Sequence, residues 1–227
     1  MSATDTPVGP SGIEWGGTWP DRATFRDLAR TRRVIPVARR VLADELSAAA
    51  DVIDVGGATL VFDAPDASTF DESALPNVTS VITLRNGTLQ RDAAAQEFRL
   101  LTIEGSGEFT GETLEFRNGR SSVGGAIAND GTMELRNVGF LDNGDDIDTE
   151  EGGAIYHGSS DTLRIIDSRF ENNAARLGGA VFMRSGDLWM RGSLLQDNQA
   201  EEGGALYSES IMIRLFDNAF VDNSAVR

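Results

Sequence analysis

Three side chains in one stretch could do chemistry together: Asp145, Asp146 and His157. Glycoside hydrolysis uses two positioned carboxylates, one protonated to assist the leaving group and one to activate water or attack the sugar. The same run, Asp145, Asp146, Asp148 and Glu150, gathers the oxygen ligands that calcium prefers, but it lacks the central Gly and the terminal Glu spacing of an EF-hand loop. Without either role the loop is a solvated insertion and His157 an exposed coil position. A stacked column of Asp142, Asp197 and Asp222, broken by Asn172, is a second place where carboxylates accumulate. Arg164, Trp189 and Arg214 form a third group, at outward positions between paired inward residues, and could make a flat binding face.

Composition narrows the classes of function. The 227 residues hold 36 acidic and 20 basic side chains, a net charge of −16, and every basic residue except His157 is Arg, because Lys is absent. That charge repels phosphate backbones and anionic membranes, so neither nucleic-acid binding nor membrane insertion is expected. A polysaccharide lyase would need a Lys or Arg base near calcium, and no Arg is singled out by its spacing. There is no Cys, so disulfides, thiolate metal sites and cysteine nucleophiles are excluded. The first residues show neither a basic start nor an apolar run, so no signal peptide is visible. Asn77 and Asn86 begin Asn-x-Thr sequons, which matter only in an exported, glycosylating setting.

The elements that must position these residues come in three parts. Residues 1–17, rich in Gly, Ser, Thr and Pro, read as a flexible lead-in. Residues 18–50 carry seven arginines between Arg22 and Arg40 and an amphipathic pattern through Phe25, Leu28 and Ala29, which predicts a helical cap over the first coil of a repeat region. That region, residues 51–227, is built from repeats that become regular from 124 onward.

Gly-Gly-Ala plus an aliphatic residue occurs at Gly124 to Ile127, Gly152 to Ile155, Gly178 to Val181 and Gly203 to Leu206, at intervals of 28, 26 and 25. Each block closes on an apolar residue followed three positions later by Asn: Phe140 and Asn143, Phe170 and Asn173, Leu195 and Asn198, Phe220 and Asn223. Between them, Met133 and Leu135, Leu163 and Ile165, Leu188 and Met190, and Ile213 and Leu215 alternate with polar residues, as strands do. One such repeat is too small to bury its apolar side, so copies must stack, each one rung of a solenoid. The expected fold is all-β: a right-handed parallel β-helix with aliphatic and aromatic columns inside, and with the column of Asn143, Asn173, Asn198 and Asn223 at a left-handed corner. Val52 to Phe62, Val81 to Leu89, Leu100 to Ile103 and Leu114 to Phe116 read as irregular opening rungs.

The Gly-Gly-Ala-Ile and Phe-x-x-Asn motifs resemble the repeats of chlamydial polymorphic outer-membrane proteins and related right-handed β-helix surface proteins, well over residues 124–227 and loosely over 51–123. The resemblance implies a surface-displayed or secreted, adhesin-like module, and an extracellular or cell-surface location. Gly144, Asp145, Asp146, His157 and Gly158 are similar to elements of polygalacturonase-like enzymes on the same fold. That pattern is incomplete here: the Asn-Thr-Asp element is missing, Tyr156 precedes His157, and Arg164, Ile165 and Ile166 come too early for the closing basic motif. Residues Ala23 to Leu46 resemble the start of the chorismate-using synthase that makes anthranilate, and nothing downstream continues that likeness.

The expected function is therefore a non-catalytic β-helical scaffold or binding module, with a protein or glycan ligand on the strand face of Arg164, Trp189 and Arg214. The alternative is a carbohydrate-active enzyme centred on residues 144–158. No cofactor is called for, with calcium at the acidic loop as the one candidate. The spacing places the next Gly-Gly pair just past Arg227, so the final rung is expected to expose strand edges and apolar side chains, and either to be continued by further chain or to self-associate.

Overall fold

The computed structural model describes residues 51–66, 73–145, 148–210 and 212–226. The lead-in and the expected helical cap, residues 1–50, lie outside the described residues, as does Asp146. Within them the chain is all-β, its ladders are parallel, and they stack into a β-solenoid of about six turns.

The opening levels are single long strands, Asp51–Phe62, Val81–Arg91 and Glu108–Arg117, paired in that order. The last of these then divides. Its first half pairs with Thr132–Arg136 and its second half with Gly139–Leu141. From there each coil has four sides. A broad face continues through Thr162–Ile166, Asp187–Arg191 and Met212–Phe216. A narrow face continues through Arg169–Glu171, Leu194–Gln196 and Ala219–Val221. A return face holds Ala174–Leu177, Gln199–Glu202 and Ser224–Ala225. An entry face holds Leu101–Ile103 and then, each following a Gly-Gly-Ala, Ile127–Asn129, Ile155–His157, Val181–Met183 and Leu206–Ser208.

The corners explain the residue types. Between the broad and narrow faces the chain turns on a left-handed residue in every coil: Thr113, Asn137, Asp167, Gly192 and Asp217 all have positive φ. Between the narrow and return faces the left-handed residues are Asn118, Asp142, Asn172, Asp197 and Asp222. Asp and Asn tolerate this geometry better than other side chains. The spacing had suggested left-handed geometry at Asn143, Asn173, Asn198 and Asn223; the structure corrects this by one residue. The Asp142, Asp197 and Asp222 column, with Asn172, is the corner itself.

The asparagines one step further on turn inward. Asn143, Asn173 and Asn198 are fully buried. Each donates its carboxamide N–H to a carbonyl of the preceding coil, as Asn173 does to Phe140 at 3.0 Å. Each also donates to the next Asn Oδ1, as Asn173 does to Asn198 at 2.9 Å. The same Oδ1 accepts the backbone N–H one coil back, at 3.1 Å from Asn143 to Asn173 and 3.0 Å from Asn173 to Asn198. The corner's backbone groups, which have no strand partner, are thus satisfied from within. A second ladder, not legible in the repeat spacing, does the same at the other corner: Val138 N–H donates to Ser168 Oγ, Ser168 N–H to Ser193 Oγ, and Ser193 N–H to Asn218 Oδ1.

The Gly-Gly-Ala corner has a steric cause. Gly152 stands at φ +70°, and a Cβ on Gly153 would come 2.1 Å from the carbonyl oxygen of Gly179 in the next coil, so neither position admits a side chain. Ala154 then faces the core, fully buried. Ile127, Ile155, Val181 and Leu206 pair in register as the aliphatic column. Phe116, Phe140 and Phe170 stack with centroids 5.2 and 4.8 Å apart and planes within 7°.

Candidate ligand-binding face

The broad face brings Arg164, Trp189 and Arg214 together as the spacing proposed. They are direct register neighbours on three successive coils, and Glu134 precedes them in the same column. The Arg164 guanidinium carbon lies 5.7 Å from the centroid of the Trp189 ring, a cation–π distance. On the other side Phe216 tilts against Trp189 at 6.0 Å and 44°. Arg214 is anchored to Asp187 at 3.3 Å. Both arginines are exposed and Trp189 is half-buried, so the ring is fixed between its neighbours with part of its surface in water. Period-two alternation does this: Leu163 and Ile165, and Leu188 and Met190, are fully buried, which forces the residues between them outward. The same alternation turns Arg136, Ile166, Arg191 and Phe216 outward in the adjacent column, a feature that the repeat motifs alone did not single out.

Of the residues proposed for chemistry, the two described ones, Asp145 and His157, are not brought together. Asp145 follows the corner between the narrow and return faces, while His157 ends the entry face, so they fall on opposite corners of the coil. Asp145 has Oδ2 at 2.5 Å from Arg120 Nη1, and its Oδ1 accepts the backbone N–H of Asp148 at 2.7 Å and of Thr149 at 3.3 Å. Both oxygens serve to fold the loop. Of the calcium candidates, Asp145 and Asp148 do converge, with Glu97 from two coils before, their oxygens within 4.8 Å of one another. Arg120 supplies positive charge at that spot, reaching Glu97 at 3.9 Å as well as Asp145. Glu150 turns instead towards Arg176, at 3.7 Å.

His157 corrects the expectation of an exposed coil residue. It is an inward position on the entry face and fully buried. Asn129 Oδ1 accepts the N–H of Gly131, so the Asn129 carboxamide nitrogen donates to His157 Nδ1 at 2.7 Å. Nε2 must then carry the proton and donate to the Asp161 carbonyl at 3.1 Å. Both ring nitrogens are committed to a neutral imidazole. Burial holds its pKa below the ordinary 6.5, against the raising influence of the Asp161 carbonyl and of the Asp130 and Asp161 charges. A depressed pKa means that the unfolded chain takes up the proton first. The stability His157 contributes is therefore complete above about pH 6.5 and is lost as pH falls through its folded-state pKa. Urea midpoints at pH 7.5 and 5.5 should fall further for the wild type than for His157→Gln; equal falls would contradict the buried neutral assignment.

Arg91 is an inward cation that the alternation did not reveal, because the strand expected over Val81 to Leu89 runs two residues further. It is only 4% exposed. Its Nε donates to the Asn118 carbonyl at 2.7 Å, and Nη1 to the carbonyls of Asp92, Ala95 and Gln96 at 3.1, 2.7 and 3.3 Å. Burial, joined by the nearby Arg120 charge, lowers its pKa from the usual arginine value. It clamps the turn that closes the second long strand and lines a shallow cleft of about 350 Å³ with Glu97, Arg120 and Asp142. The two sequon asparagines also have structural partners: Asn77 donates to Glu104 at 2.6 Å and Asn86 to Asp54 at 3.1 Å. Compared with protein-family models, with curated proteins and with solved structures, the chain gave no match.

Proposed function

We propose that this protein is a non-catalytic β-solenoid binding module of the adhesin-like kind, displayed on a surface or secreted, whose broad face receives an extended ligand. The observation that carries this reading is the register column of Arg164, Trp189 and Arg214, where a fixed, partly exposed indole is flanked by guanidiniums on a flat sheet. Such a surface offers an apolar plane beside hydrogen-bond donors, which suits a sugar ring better than a deep cavity would. The commitments of Asp145 and His157 support the scaffold over the hydrolase: one carboxylate folds its loop and the histidine is sealed as a neutral core residue. The right-handed winding rests on the strong general preference of parallel crossovers, and the likeness of the repeats to bacterial surface proteins supports the location.

A glycan array probed with labelled protein tests the reading. Binding that drops at least tenfold in Trp189→Ala and persists in Asp145→Ala is the expected outcome. Binding untouched by Trp189→Ala, or glycan cleavage abolished by Asp145→Ala, would overturn it.

A further inference from the structure

On the broad face one arginine occurs in each of the last four coils, and the four alternate between two columns. Arg136 and Arg191 share the column of Ile166 and Phe216; Arg164 and Arg214 share the column of Glu134 and Trp189. Successive coils rise by ~4.8 Å, so two guanidiniums of one column stand roughly 10 Å apart, with the other column filling the interval in a zigzag. All four are exposed. Arg136 is paired with Glu134 and Arg214 with Asp187, while among the described residues no carboxylate forms an ion pair with Arg164 or Arg191. A protein of net charge −16 thus carries a local basic strip, and the strip surrounds the Trp189 indole.

Building on the ligand face proposed above, we infer that the strip binds a linear anionic polysaccharide, laid along the solenoid axis with sugar rings on Trp189 and carboxylates on the alternating guanidiniums. Charge complementarity selects the anion, because over its last four coils the face carries four arginines against two outward carboxylates, Glu134 and Asp187, while the rest of the molecule repels free anions. Charge spacing selects the polymer. Each strand of a nucleic-acid duplex places a phosphate about every 3.4 Å of helix axis, denser than one guanidinium per coil can neutralise, and the remaining phosphates would face the acidic body. A polysaccharide with carboxylates only on some rings matches the sparser strip. Guanidinium forks suit carboxylates, and the indole supplies the stacking plane.

The test uses hyaluronan oligosaccharides, which carry a uronate on alternate sugars, with cello-oligosaccharides as the neutral probe and oligo-dT as the phosphate probe. Titration calorimetry should show hyaluronan binding that weakens with salt, about tenfold loss of affinity in Arg191→Gln, and a salt slope lower by roughly one. Arg191 is exposed and has no ion-pair partner among the described residues, so this variant keeps its fold, which circular dichroism checks. If cello-oligosaccharides bind in a Trp189-dependent way that ignores salt and Arg191→Gln, the anionic assignment is overturned while the ligand face stands. Tighter binding of oligo-dT overturns the polysaccharide in favour of nucleic acid. If none of the probes binds in a Trp189-dependent way, both the ligand class and the face fail.

Discussion

Replacing Asn173 with Ala should destabilise the protein by about 3 to 5 kcal/mol, as measured by urea unfolding. The carboxamide makes four hydrogen bonds in a fully buried place: it donates to the Phe140 carbonyl and Asn198 Oδ1, and its Oδ1 accepts from the backbone and side-chain nitrogens of Asn143. Removing it strands groups on both neighbouring coils, each at a cost of about 1 to 3 kcal/mol when buried, with partial relief from relaxation. Asn223→Ala is the control. Asn223 ends the ladder and is only part-buried, so water can replace it, and about 1 kcal/mol is expected. Similar small losses for both would mean that the ladder is not what holds this corner.

The second large effect is expected at the aromatic column. Phe170 is fully buried and stacked 4.8 Å from Phe140, in register with Leu195 on the following coil. Phe170→Ala should cost about 3 to 5 kcal/mol through lost burial and the cavity left behind. Its neighbour Arg169 points outward with half its side chain exposed and pairs with Glu171, so Arg169→Ala should cost about 0.5 kcal/mol or less. The contrast between adjacent residues tests the phase of the strand, and equal costs would contradict it.

These two predictions rest on what repetition made legible. Because every coil is stacked in register on the last, an inward position recurs at matching offsets, and the apolar columns, the Gly-Gly-Ala corner and the outward Arg164, Trp189 and Arg214 could be read directly. The left-handed corner was misplaced by one residue because Asn suits both left-handed geometry and a carboxamide ladder. Only the pairing shows that Asp142 and its equivalents take the first task and Asn143 and its equivalents the second. His157 was readable in principle. Ile127 and Asn129, Ile155 and His157, and Val181 and Met183 share one alternation, so His157 had to face inward with Asn129. The same period-two argument would have found Arg136 and Arg191. The approach of Glu97 to Asp145 was not legible, since it depends on the path of a turn of variable length between coils, held by the buried Arg91.

Both the core and the proposed ligand face depend on one register, and a distance measurement tests it most directly. Thr83, Thr110, Glu134, Arg164, Trp189 and Arg214 are successive partners along the broad face. The chain has no cysteine, so Thr83→Cys with Arg214→Cys allows spin labels at those two outward positions alone. Five steps of ~4.8 Å place their backbones roughly 24 Å apart. Pulsed electron paramagnetic resonance should return a single narrow distribution near that distance, broadened only by the label arms. A broad distribution, or a distance beyond about 35 Å, is more than five such steps allow and would contradict the stacked register and the binding face built on it.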